Sequence, residues 1–228
     1  MEIIWESLVS AVQLIVSLDR EVMDIAFRSL TISGSATMIG GLVFVPVGGL
    51  IYFYSFRLKN VLIGIINTFF SVPTVFVGLI IFATFSKDGP FGVFGLLFTP
   101  TVMLLGQIML IAPIIAGMTI SALSSVNEDI RDTATSLGAN RSQVIYTVIR
   151  EARYGVITGL LLAFGRAISE VGLAIMVGGN IKNYTRTLTT SMSLETSMGN
   201  LDMSMALGII LISVALIVNM VGNGLKGR

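Results

Sequence analysis

The sequence predicts an all-α membrane protein: five transmembrane helices, preceded by an N-terminal helix lying in the interface. Three observations carry that prediction. The chain has 228 residues, 54% of them hydrophobic and only 12% charged, about half the charged fraction of a soluble domain. Its charges are segregated, with no Asp, Glu, Lys or Arg from Ser29 to Phe56, Asn60 to Ser86, Gly89 to Asn127 or Met203 to Leu225. Each interval exceeds the roughly 20 residues that a helix needs to cross a bilayer. A fifth stretch, Tyr154 to Ile181, is interrupted only by Arg166 and Glu170.

Taken in order, residues 3–18 form an apolar run that carries Glu6 and Gln13 and is short for a span. They read as an amphipathic helix in the interface, with a short extra span as the alternative. Residues 1–24 are thus an N-terminal interfacial segment, and 25–228 a transmembrane domain. Glu2 and Glu6 precede the first basic residue, Arg20, unlike the positive start of a signal peptide. The first span, near 25–56, opens with small residues at Thr31, Ser33, Ser35, Thr37 and Gly40–Gly41, which let helices approach closely in lipid. The second, near 61–85, contains Pro73, and the third, near 96–123, contains Pro113. The turn SKDGPFG joins them. A polar loop at 127–150 leads to the fourth span near 154–180, and the fifth lies near 203–224.

Loop charge orients the chain. Arg57, Lys59, Arg131, Arg141, Arg150, Arg153, Lys226 and Arg228 share one side, and Arg20, Arg28, Lys87, Lys182 and Arg186 the other. The richer side is expected to be cytoplasmic, placing the C-terminus inside and the N-terminus outside a multi-pass protein of the cell membrane. A net charge of +1 gives no reason to expect a nucleic-acid partner. His and Cys are both absent, which removes the commonest general base, thiol chemistry and the main soft metal ligands.

The polar loop is well punctuated. Asn127 suits an N-cap, and Glu128 and Asp129 put negative charge in the first turn. Ile130, Ala134 and Leu137 make an apolar stripe, and Gly138 stands where a left-handed residue ends a helix. Asn140 with Gln143 suggests a capping box that opens a second short helix, with Val144, Ile145, Val148 and Ile149 on its apolar face. Three readings fit two capped helices: an ordinary loop, a docking knob for a soluble partner, and a DNA-binding helix-turn-helix. The last is disfavoured because only Arg141 and Gln143 are obvious exposed base readers.

These residues resemble the cytoplasmic loop of bacterial and archaeal ABC importer permeases. That loop reads Glu-Ala-Ala, three residues, Gly, nine residues, then Ile-x-Leu-Pro. Here Asp132-Thr133-Ala134 precedes Gly138 by the same spacing, and Val148 stands for the Ile. The pattern departs at Thr133, and again at Arg150 and Glu151, which replace the Leu and Pro. GRAISEVG (Gly165 to Gly172), VGGNI (Val177 to Ile181) and YTRTLTTSMSLETS (Tyr184 to Ser197) are similar to the oxyanion-importing branch, tungstate-type permeases first and molybdate-type next. The resemblance implies a type I ABC importer permease fold with a cytoplasmic coupling helix. It also implies a homodimer, two copies of an ABC ATPase holding ATP and Mg, and an extracytoplasmic oxyanion-binding protein, with no cofactor on this chain. Coupling to the ATPase falls on Asp132, Thr133, Ala134, Ser136, Leu137, Gly138, Ala139 and Asn140.

The remaining residues agree with that role. There is no G-x-x-x-x-G-K-[ST] loop, so hydrolysis of ATP through such a phosphate cradle requires another chain. Arg166 and Glu170, with Ser169 between them, are four apart and share a helix face. Charges at membrane depth mark either a lock between helices or a gate on a pathway. Ser71, Pro73 and Thr74 read as a kink with hydroxyls that lines a pathway, or as a packing kink alone. Arg186 within TRTLTT offers a cation among hydroxyls to an oxyanion; contact with a binding protein and a plain solvated loop are the alternatives. A self-contained secondary transporter is expected to show discontinuous helices and an internal repeat, and no convincing repeat links the two halves; a membrane enzyme is disfavoured by the lack of His, Cys and paired carboxylates within a span.

Overall fold

The computed structural model describes residues 2–226. Arg228, counted above with the basic side, lies outside them. The described chain is helical: α1 (Glu2–Val16), α2 (Arg20–Phe53), α3 (Lys59–Phe69), α4 (Thr74–Phe85), α5 (Pro100–Ser124), α6 (Glu128–Ser136), α7 (Arg141–Ile168), α8 (Gly172–Gly178), α9 (Leu188–Ser197) and α10 (Leu201–Lys226). Three helices, α2, α5 and α10, are long and apolar enough to cross a membrane singly. The count becomes five if two bent pairs each form one span, α3 with α4 at 96° and α7 with α8 at 58°.

The first bend falls at the kink expected of Pro73, and the second lies in the fourth span, for which the sequence reading named no break. Pro73 has no N–H to continue a helix and disfavours helical backbone at Val72. Accordingly α3 ends in tight turns at Phe70, Ser71 and Val72 before α4 begins. The α7–α8 break has no proline. At the break Ser169 Oγ bonds back to the Gly165 carbonyl at 2.7 Å, and the Glu170 carboxylate accepts from the Leu173 N–H at 3.0 Å, opening α8 afresh. The expected short second helix at Asn140 is corrected. Its capping box forms, but the helix then runs 28 residues to Ile168. Glu151 supplies the backbone N–H that the family pattern's Pro would lack.

Helix α5 is the centre of the bundle. One cluster joins Ile32, Ile81, Val102, Met103, Leu173, Ala174 and Val177, binding α2, α4, α5 and α8. Another joins Ala36, Ile111, Ile115, Ala163 and Ala167 across α2, α5 and α7. Helix α1 packs beside α10, with Ala11 fully buried.

In lipid the hydrophobic effect gives no net drive to helix association, so close fit must supply it. The face of α2 that does so is Ser29, Ser33, Ala36, Gly40 and Gly48, only partly the set expected from sequence. A Cβ on Gly48 would stand 2.7 Å from the Ala116 carbonyl oxygen, whereas one on Gly34 meets nothing within 4 Å. Gly48→Ala is therefore expected to lower the melting temperature in detergent, at a cost of about 1–3 kcal/mol. Gly34→Ala is expected to leave it unchanged or raise it, by about 0.5–1 kcal/mol in helix preference. Equal melting of the two variants would refute the tight α2–α5 contact.

Candidate functional site

Two arrangements stand out, one at the end of the bundle that carries α6 and one at the two helix breaks.

Helix α6 is fixed at both termini. Asn127 Oδ1 accepts from the Asp129 N–H at 3.1 Å. At the other end Gly138 has φ +82°, with Gly138 N–H donating to Thr135 O at 2.9 Å and Ala139 N–H to Ala134 O at 3.0 Å. That pair of bonds is the Schellman closure. Two residues later Asn140 and Gln143 exchange side-chain and backbone bonds at 2.8 and 3.0 Å, as the sequence predicts. Asp132, Thr133, Ser136, Gly138 and Asn140 are exposed, with Ala134 and Ala139 half-buried. Leu137 is 83% exposed, an apolar side chain displayed on a rigid turn. Ile130 faces inward against the cluster of Ala122, Leu123, Val126, Val148 and Ala152.

The second arrangement joins the breaks. A Cβ on Gly172 would lie 2.8 Å from Val75 Cγ2, 3.4 Å from Thr74 Oγ1 and 3.7 Å from Glu170 Oε1. The first turns of α4 and α8 are therefore in contact, and only glycine fits between them. Glu170, with a side chain 2% exposed, forms a 3.4 Å ion pair with Arg166, which is 38% exposed. Glu170 Oε1 also accepts from the Leu173 N–H at 3.0 Å, so the carboxylate caps α8 where the helix dipole favours negative charge. Its carbonyl accepts from Thr189 Oγ1 at 2.6 Å. Ser71, Pro73 and Ser169 are exposed at the breaks and Thr74 is half-buried. The breaks thus bring Arg166, Glu170 and Thr74 to one neighbourhood; no hydrogen bond joins Ser71, Pro73 or Ser169 to those three side chains among the described residues.

Arg186 lies elsewhere, at the opposite end of the bundle from α6. Its guanidinium is 3.6 Å from Glu21, which also pairs with Lys182 at 2.8 Å. Arg28 donates to the Arg186 carbonyl at 3.0 Å. The solvated-loop reading of its threonines is overturned, because Thr185, Thr187, Thr189 and Thr190 are buried. Thr185 Oγ1 donates to Gly178 O and accepts from the Ile181 N–H, and Thr187 with Thr190 caps α9. These hydroxyls hold backbone together.

Sequence reading missed Gln107. It is buried within α5, donates Nε2 to the Ala167 carbonyl at 3.2 Å, and leaves its Oε1 without a partner among the described residues. The available signal was its solitude: it is the one amide between Gly89 and Val126.

Comparison with known proteins places this geometry. Residues 44–227 match the family described as binding-protein-dependent transport system inner membrane component. The chain is 40% identical to a probable anion ABC transporter permease protein of Haloferax volcanii, over 88% of each chain. It is 39% identical to the tungstate uptake system permease protein of Peptoclostridium acidaminophilum, over 97% of each. Its counterpart in Campylobacter jejuni is 35% identical, over 99% of this chain and 95% of that one. In fold, the chain matches one from the MetNI methionine ABC transporter in an inward-facing conformation. The TM-score is 0.75 at 17% identity, covering 92% of this chain and 96% of that one.

Proposed function

The chain belongs to the family of binding-protein-dependent transport system inner membrane components, and we propose that it is the permease of an ATP-driven importer for a tetrahedral oxyanion, tungstate first. The observation that carries the reading is the capped α6. A nine-residue helix is marginal alone, yet here both of its ends are bonded and Leu137 is left outward. Such a knob suits insertion into a cleft on a separate ATPase, which holds ATP and Mg. The anion specificity rests on the relatives, whose names give an anion and tungstate; molybdate and sulfate are the neighbouring possibilities.

In this reading two copies of the chain form a symmetric dimer, as most oligomers do, with two ATPases on the cytoplasmic α6 side. The extracytoplasmic oxyanion-binding protein docks at the opposite end, near Arg186. The breaks at Ser71–Thr74 and Arg166–Glu170 form the pathway or gate. Arg166 meets the anion through charge-assisted bonds, and Glu170 limits how tightly it is held. Discontinuous helices also suit a self-contained transporter, so they do not separate the two readings; family membership favours the importer.

The test is purification of the native complex and titration of its binding protein. An ATP-binding chain is expected to accompany the permease, and tungstate to bind its partner more tightly than molybdate or sulfate. Recovery without any ATP-binding chain would overturn the importer. Preference for sulfate would overturn the assigned ion alone.

A further inference from the structure

Near the base of α6, two cations from different helices converge on one aromatic ring. Tyr52, in the last turn of α2, has the Arg131 guanidinium of α6 5.1 Å from its ring centroid. The Lys59 ammonium lies 5.5 Å from the same centroid and donates to the Tyr52 carbonyl at 2.5 Å. Phe53 meets Tyr52 edge-on at 5.0 Å. Arg131 Nε is shielded and has no acceptor, and neither cation forms an ion pair among the described residues. The ring is therefore what holds Arg131.

Placement gives the contact its meaning. Lys59 is the first residue of α3, and α3 continues through the Pro73 break into α4, whose first turn lies against Gly172 beside Glu170. A line of contact thus runs from α6 through Arg131, Tyr52 and Lys59 to the broken pair. We propose that Tyr52 is a positioning residue, the joint through which displacement of α6 moves α3 and α4. An aromatic face suits a joint. Attraction to the ring quadrupole holds a cation over the face within about 6 Å, so the contact survives a change of tilt between Arg131 and the ring while displacement is passed on. A hydrogen-bonded ion pair would break over the same tilt. No hydrogen bond of the Tyr52 hydroxyl enters the contact, so phenylalanine should serve equally.

The inference rests on α6 being the ATPase-docking element. The experiment uses the whole complex in proteoliposomes and reads oxyanion taken up per ATP hydrolysed. Tyr52→Leu and Arg131→Gln are expected to retain hydrolysis while that ratio falls about fivefold, as loss of a contact of this class predicts. Tyr52→Phe and Arg131→Lys should keep it. A purely structural role would lower assembly and leave the ratio alone. If Tyr52→Leu fails to assemble, Arg131→Gln decides. A wild-type ratio in the decisive variant overturns the joint. Gly138→Val in the same assay separates the premises: if it leaves uptake intact, the docking role of α6 falls and the joint with it. If Gly138→Val stops uptake while Tyr52→Leu keeps the ratio, the joint alone falls.

Discussion

Replacing Gly138 with valine is expected to stop ATP-driven uptake while leaving the membrane helices folded. At φ +82° an L side chain costs roughly 1–2 kcal/mol, and a β-branched one is the least tolerant of that region. A Cβ there meets nothing within 4 Å, so the penalty is conformational and no clash is transmitted to the bundle. The chain escapes it by abandoning the Schellman bonds from Gly138 and Ala139, which frees the end of α6 and redirects Leu137. Gly138→Asn makes the comparison, because asparagine visits the left-handed region readily. Uptake should fall at least about tenfold for valine, the equivalent of 1.4 kcal/mol in docking, and be largely kept for asparagine. Melting in detergent should be unaltered in both. Equal uptake by the two variants would show that the left-handed turn is not what the ATPase reads.

Changes at Glu170 are the second large effect, and two variants divide its roles. Glu170→Ala removes the acceptor for the Leu173 N–H and the partner of Arg166 together. Breaking a fully buried pair costs about 3–5 kcal/mol; Arg166 is partly open to water, so about 1–3 kcal/mol is expected here. Lower melting and poor assembly should follow. Glu170→Gln keeps an oxygen for Leu173 and removes only the charge. It should melt close to wild type and yet import slowly, because an uncompensated Arg166 releases an anion reluctantly. Arg166→Gln should lose uptake by the opposite route, weak capture. If both glutamine variants assemble and import normally, the pair is a lock between helices and the gating role is refuted.

The legible parts of this chain are those set by neighbours in sequence. Charge-free intervals located the apolar helices because lipid tolerates few charges. The caps at Asn127, Gly138 and Asn140–Gln143 were readable because each is closed within a few residues. The 96° turn after α3 was not, since Pro73 announces a break and packing of Gly172 and Gly78 on their neighbours sets its angle. The α7–α8 break was less visible still, because a serine back-bond and a carboxylate cap do without proline. The threonines of TRTLTT looked solvated since hydroxyl-rich runs usually are. Their burial depends on distant partners, among them the Glu170 carbonyl and the Ser29 hydroxyl that accepts from the Leu188 N–H. Arg186 and Glu21 meet for the same kind of reason, through folding that joins far segments.

The spacing of Arg166 and Glu170 also bears on how the chain reaches the membrane. An isolated ion at the centre of a helix is opposed by about 2.5–3.5 kcal/mol during insertion. These two lie four residues apart, so they can pair within the segment as it leaves the ribosome, without a partner from another helix. The Leu173 N–H that caps the carboxylate arrives three residues later. This segment can therefore partition into lipid as a nearly neutral unit.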